Sequence, residues 1–275
     1  MHSIFQTILI ISLFLSSYNS LSQSFKMENL VFQKHYQSFV FQTDSLNLPY
    51  RLHIPKNAGN KKLPLVILLH GSGERGTDNV KHLVHGASAF VADSLQQTHP
   101  CYVLVPQCPE NTRWVPINLK SKSHIMPSQP SLVMVTLMQL ISKIEKEYPV
   151  DLSRIYCTGL SMGGFGTWDL AIRCPNSFAA IAPVCGGADP SKAKKIAHIP
   201  QWIFHGGKDN VVFPENSRVM VAALKKAKTK ELKYTEFPEV LHNAWDFAYA
   251  MPEFFTWLFS HQRAMPKVKR LKKQQ

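Results

Sequence analysis

The sequence predicts an α/β fold in a single domain, with one mostly parallel sheet covered by helices on both faces. Three observations predict it. Short apolar runs such as LVILL at 65–69 and YVLV at 102–105 are continuous rather than alternating, as in strands buried on both sides. Stretches with helical spacing separate these runs along the chain. The 275 residues are 45% hydrophobic and 18% charged, enough for one large core, with no internal repeat and no interdomain linker. This composition excludes a disordered, collagen-like or disulfide-scaffold chain.

Residues 30–41 and 50–54 are rich in β-branched and aromatic side chains and read as an early hairpin joined through Asn47-Leu48-Pro49. Residues 65–69 form the first buried strand, 87–97 a helix, and 102–105 a second buried strand. Residues 131–148 carry Val135, Met138, Ile141 and Ile144 at helical spacing, with Pro130 in the first turn and Pro149 ending the helix. Strands are expected at 154–158, 178–184, 202–204 and 232–237. Helices are expected at 162–173, stopped by Cys174-Pro175, at 216–226, and at 245–261. The segment 106–130 holds five prolines and little periodicity, which marks a long functional or mobile loop.

The ends differ from the body. Residues 4–15 read IFQTILIISLFL, an apolar run of about twelve residues where a spanning helix needs roughly twenty. A small-x-small pattern, Ser20-Leu21-Ser22, follows. Residues 1–22 are therefore expected to be a signal peptide cleaved before Gln23, with the product secreted or periplasmic and no integral membrane segment in the mature chain. Residues 23–262 are then the folded domain and 263–275 a basic tail. Six of the charges behind the net +13 lie in that tail, so the excess does not identify a nucleic-acid-binding body. The five cysteines form no C-x-x-C pair; after export one disulfide is compatible with them, in a pairing the sequence leaves open. His82 and His85 share a helical spacing without a third ligand signal, so no metal site is expected.

Gly159-Leu160-Ser161-Met162-Gly163 is a G-x-S-x-G pattern between an expected strand and an expected helix. A nucleophile there sits on a strained turn above the sheet, and side chains two positions away would collide. The Met162 N–H, at the helix start, is expected to be an oxyanion donor. A serine hydroxyl needs a base. His242 lies between a strand and a helix at the same sheet edge and is taken as general base; His261 is placed deep in the last helix. Asp209, just past the strand at 202–204, is taken as the acid that orients the imidazole, with Asp189 as runner-up. The loop His70-Gly71-Ser72-Gly73 should supply a second oxyanion donor, Gly71 or Ser72, with Glu74 and Arg75 tying the loop in place. It lacks the Lys-Ser/Thr ending of a phosphate-binding loop. Trp114 has two readings: an apolar wall beside the scissile bond, or a packing anchor. Lys208 reads as a solvated turn residue.

Together, LLHGSGERGTDN at 68–79, VPQCPENTRW at 105–114, TGLSMGGFGTWDLA at 158–171, APVCGGAD at 182–189, IFHGGKDNVV at 203–212 and His242 resemble the α/β-hydrolase superfamily. The nearest resemblance is to secreted bacterial esterases related to carboxylesterases and feruloyl or acetyl-xylan esterases, often labelled peptidases of the prolyl-oligopeptidase or dienelactone-hydrolase type. It implies nucleophile Ser161, acid Asp209 and base His242, places Trp114 and the HGSG loop near the substrate, and requires no cofactor. The expected activity is hydrolysis of small-molecule or polysaccharide-linked esters through an acyl-enzyme. The alternatives are a serine peptidase, which the lack of a propeller domain argues against, and an idle binding protein whose tail grips anionic polymers. The sequence does not specify an oligomeric state.

Overall fold

The structure, a computed structural model, describes residues 32–56 and 59–265. The expected signal peptide and its cleavage point, and residues 266–275 of the expected tail, lie outside the described residues.

One eight-stranded sheet organises the chain. Its strands are β1 (Tyr36–Gln42), β2 (Asn47–His53), β3 (Leu63–Leu69), β4 (Tyr102–Pro106), β5 (Val150–Leu160), β6 (Ala180–Val184), β7 (Gln201–Gly206) and β8 (Leu232–Phe237). Their spatial order is β1-β2-β4-β3-β5-β6-β7-β8. The hairpin β1–β2 joins β4 antiparallel, and the six strands from β4 to β8 run parallel. The helices are α1 (Ala87–Phe90), α2 (Asp93–Thr98), α3 (Leu132–Glu147), α4 (Met162–Arg173), α5 (Glu215–Lys226), α6 (Ala244–Ala248) and α7 (Pro252–Ser260).

The side chains of β3 divide by parity between two cores. Leu65, Ile67 and Leu69 pack with Leu137 and Leu140 of α3 and Phe165 and Trp168 of α4. Val66 and Leu68 belong to the opposite core, with Phe90, Phe204, Phe254 and Trp257. Because β4 lies on one side of β3 and β5 on the other, the chain reverses direction across the sheet at β3. The crevice beyond the carboxyl ends of β3 and β5 is the topological switch point of the sheet.

Five expectations are corrected. The hairpin turn lies at Thr43–Leu46, where the Thr43 hydroxyl oxygen accepts from Leu46 N–H at 3.0 Å, and Asn47-Leu48-Pro49 opens β2. Pro49 is tolerated there because it precedes the β2–β4 ladder and offers only its carbonyl, which accepts from Gln107 N–H at 2.8 Å. The helix expected at 87–97 breaks at Val91-Ala92, and Gln96 Nε2 donates to the released Phe90 carbonyl at 2.8 Å. In α3 the buried face is Val133, Met134, Leu137, Leu140, Ile141 and Ile144, so Val135 and Met138 stand at its flank; Ser131 caps the helix, which leaves Pro130 outside it. The last helix is two helices, because Pro252 has no N–H to continue α6. His261 is therefore past the end of α7, with Nε2 2.9 Å from Glu231. Arg263, assigned to the tail, is tied to β5 by its N–H to Ser153 O and its Nε to Leu152 O.

Candidate active site

Ser161 stands between β5 and α4 with φ 53° and ψ −119°, a strained backbone for a non-glycine residue. Its neighbours explain how so tight a turn closes. A Cβ on Gly159 would fall 2.5 Å from the Gly163 carbonyl oxygen, and one on Gly163 only 2.0 Å from that of Leu69. Ser161 N–H donates to Val184 O at 2.9 Å, which ties the turn to β6. Met162 is the first residue of α4, so its N–H has no preceding turn to bond.

Two distant stretches meet this hydroxyl. His242 Nε2 lies 2.9 Å from Ser161 Oγ, and His242 Nδ1 lies 2.7 Å from Asp209 Oδ2. An N–H at Nδ1 donating to the carboxylate leaves the Nε2 lone pair facing the serine O–H. Trp245, on the first turn of α6, packs edge-on to the His242 ring at 5.2 Å. Asp209 is buried just beyond β7. Its Oδ1 accepts from Val211 and Val212 N–H, both at 2.9 Å, and its Oδ2 lies 3.3 Å from His205 Nε2. Burial pushes this carboxyl up, but hydrogen bonds from His205 and His242, the charge of His242 and the Val211 N–H outweigh burial. They hold it well below the usual carboxylate range.

The loop after β3 lies over the nucleophile. A Cβ on Gly71 would be 3.5 Å from Ser161 Cβ. His70 holds this loop: its Nδ1–H donates to Gly71 O at 2.6 Å, its Nε2 accepts from Cys108 N–H at 2.8 Å, and its carbonyl accepts from Trp114 Nε1 at 3.1 Å. Burial lowers His70 to about 4, so the ring is neutral near pH 7 and keeps that tautomer. Arg75 Nε donates to Ser72 O at 2.8 Å, whereas Glu74 faces the cleft.

The cleft has a volume of about 400 Å³. Gly71, Ser72, Ser161 and His242 line it beside an apolar wall of Leu119, Leu160, Val211, Val212 and Trp245, with Glu74, Arg113 and Lys120 as its charged groups. Trp114 is not in this lining. It is fully buried, and its indole N–H is occupied by His70, so the reading as a substrate wall gives way to the packing anchor. The wall position belongs to Trp245. That residue follows His242 by three positions at a helix start, a spacing that could have drawn notice to it.

Asp189 is far from taking the acid's place. Its oxygens accept from Met126 and Ser191 N–H, which ties the proline-rich segment to the end of β6. Lys208 is exposed and paired with Glu239. His82 is buried edge-on to His70, whereas His85 lies 3.8 Å from Glu74 and packs on Trp245, so the two do not form a ligand pair. All five thiols are free. Among the described residues, Cys185, His205 and Asp209 cluster with metal-ligating atoms within 4.8 Å of one another, but the His205 and Asp209 atoms are already engaged in hydrogen bonds. Sequence reading missed His205, four positions before the acid, and Gln107, whose side chain accepts from Asn79 N–H and donates to Glu74 O and Asp78.

A family model described as "Putative esterase" matches residues 46–243. A solved thermostable esterase is 39% identical, with a TM-score of 0.78, over 85% of this chain and 64% of that one. Poly(3-hydroxyalkanoate) depolymerase C of Paucimonas lemoignei is 31% identical over 148 residues, 54% of this chain and 33% of the relative. The bifunctional acetylxylan esterase/xylanase XynS20E of Neocallimastix patriciarum is 37% identical over 75 residues, 27% of this chain and 11% of the relative. The chain thus spans a third or less of these two relatives. A feruloyl esterase module from Clostridium thermocellum shares the fold, with a TM-score of 0.61 at 14% identity.

Proposed function

Because the chain belongs to the Esterase family, whose model matches residues 46–243, we propose that it hydrolyses carboxylic esters with Ser161 as nucleophile, His242 as base and Asp209 as the acid behind it. The observation that carries this reading is the hydrogen-bonded line from Ser161 Oγ through His242 to Asp209, 2.9 and 2.7 Å, at the floor of an open cleft.

In this reading, Ser161 Oγ attacks the ester carbonyl as its proton passes to His242 Nε2. The carbonyl oxygen becomes an oxyanion facing the Met162 N–H and an N–H of the Gly71-Ser72 loop. Collapse breaks the bond to the leaving alkoxide, which takes the proton from His242. Water then attacks the acyl-enzyme by the same route and releases the acid and free Ser161. Asp209 remains a carboxylate throughout and holds the imidazole in the required tautomer.

The substrate we favour is an acyl group on a polysaccharide, a reading supported by the acetylxylan-esterase relative. A second reading, a polyester bond, is supported by the depolymerase relative and by the apolar wall of the cleft. An extracytoplasmic site of action rests on the apolar segment 4–15. No helix among the described residues is long and apolar enough to cross a membrane.

The test is a hydrolysis screen with short-acyl, feruloyl, polyester-oligomer and peptide substrates, run beside Ser161→Ala. Small esters are expected to be turned over, peptides not, and the variant to lose activity. Equal turnover by Ser161→Ala removes the nucleophile. Binding to anionic polymers without any esterase activity or phosphonate labelling would support an idle binding protein instead.

A further inference from the structure

The acid of the proposed catalytic line is held from behind by a second histidine. His205 is the last residue but one of β7, and its side chain is fully buried. Its Nε2 lies 2.9 Å from Val212 O and 3.3 Å from Asp209 Oδ2, two acceptors, so Nε2 carries the proton and shares it between them. Its Nδ1 lies 2.7 Å from Ser217 Oγ on α5, and that hydroxyl is 3.2 Å from Gly186 O at the end of β6. Gly186 in turn packs against Gly164 of α4, where a Cβ would meet backbone at 2.6 Å.

These contacts use all four acceptor directions of Asp209: two on Oδ1 for Val211 and Val212, and two on Oδ2 for His242 and His205. His242 and His205 both reach Oδ2, and the Cys185 thiol lies within 4.8 Å of the same carboxylate. A carboxylate bonded in this way cannot turn about its side-chain axis without stranding a buried lone pair.

We infer that His205 is a positioning residue for ester hydrolysis: through Ser217 it fixes Asp209 Oδ2 against His242 and takes a share of that oxygen's charge. The inference rests on the proposed roles of Ser161, Asp209 and His242. Removing the His205 donor frees the Oδ2 lone pair. The carboxylate then holds a protonated His242 more strongly and positions it less well. The other groups at this locus are the Cys185 thiol beside Asp209, Glu236 across the β7–β8 register from His205 and itself paired to Arg218, and Ser161 and Trp245 against His242.

The experiment measures kcat and KM against pH on a small ester, using the full chain as wild type, His205→Phe, His205→Gln and Ser217→Ala, with Ser161→Ala as the activity control. His205→Phe keeps the ring shape and removes the donor; His205→Gln retains an N–H near the Nε2 position. We expect His205→Phe to lower kcat about tenfold, a part of the 100-fold or more that general-base catalysis supplies. KM should stay within about twofold, and the acid limb of kcat/KM should move up by about half a pH unit. His205→Gln should restore both. A folded His205→Phe with an unmoved acid limb overturns the inference, as does a loss of kcat that His205→Gln repairs no better. If His205→Phe does not fold, Ser217→Ala decides, by a smaller upward movement of the limb or by none. Loss of the wild-type Ser161-dependent activity itself would instead count against the proposed function, independently of these variants.

Discussion

Gly163 lies so close to Leu69 that a Cβ on the glycine would fall 2.0 Å from the leucine carbonyl oxygen. The contact is backbone to backbone, between the first turn of α4 and the end of β3, and neither side can yield by a rotamer change. Gly163→Ala is therefore expected to destabilise the fold by more than about 3 kcal/mol, through overpacking against the main chain. Gly73, in the loop after β3, has open space around it. Gly73→Ala should stay within about 0.5 kcal/mol of the parent. Urea midpoints of the two variants check the pair, and equal midpoints would remove the steric account of the turn.

The two aspartates past β6 and β7 separate by the same kind of reasoning. Asp209 faces an imidazole, whereas Asp189 faces the N–H groups of Met126 and Ser191. Asp209→Asn should lower kcat by about three to four orders of magnitude, because the amide favours the wrong His242 tautomer. Asp189→Asn should leave kcat within about threefold and lower stability by about 1 kcal/mol, since an amide oxygen can accept one of those N–H bonds but not both as well. Steady-state kinetics with both variants distinguish the roles; comparable losses would reinstate Asp189.

What could be read in the sequence was what local sterics and burial impose. A tight strand-to-helix turn around Ser161 calls for small residues two positions to either side, and the continuous apolar run LVILL at 65–69 suits a strand buried on both faces. The order of Ser161, Asp209 and His242 along the chain placed three side chains that the fold brings together. What could not be read depends on which polar groups the folded loops and helix ends bring within hydrogen-bond reach. Trp114 turns inward because the His70 carbonyl, 44 positions earlier, takes its N–H. His205 finds its partners on α5 and the loop after β7. At the Val91-Ala92 break the Gln96 side chain donates to the carbonyl that the helix leaves free. The Pro252 break, by contrast, was written in the sequence, and the apolar spacing of 245–261 concealed it.

Stability should depend on pH through two buried imidazoles. Burial lowers His70 to about 4 and His82 to about 3, from an ordinary value of 6.5. In the unfolded chain both rings take a proton as pH falls through about 6.5, whereas in the folded chain they do so only near those lower values. Unfolding therefore takes up protons across this window, so the stability is present above about 6.5 and is lost as pH falls toward 4. At about 1.4 kcal/mol per pH unit, His70 alone contributes about 3 kcal/mol. His82→Leu removes one of the two titrations. Urea unfolding at several pH values between 7 and 4 should show a shallower loss in the variant; an unchanged slope would place the acid sensitivity elsewhere.

The two tryptophans near the cleft should fail in opposite ways. Trp114, within the proline-rich segment, is fully buried against α4, where a Cβ on Gly166 would meet its side chain at 2.9 Å. Truncation there leaves a large cavity and frees the His70 carbonyl, so Trp114→Ala should cost about 3–5 kcal/mol. Trp245 lines the cleft and packs edge-on to His242. Trp245→Ala should cost less stability, while KM for bulky acyl groups rises several-fold and kcat falls as the imidazole loses its lateral support. Trp245→Phe keeps an aromatic edge against His242 and should recover most of kcat without recovering the full preference for bulky acyl groups. Thermal unfolding beside kinetics on acetyl and feruloyl esters reads both effects. If Trp114→Ala were the variant that altered acyl preference while keeping its stability, the cleft wall would have to be reassigned to it.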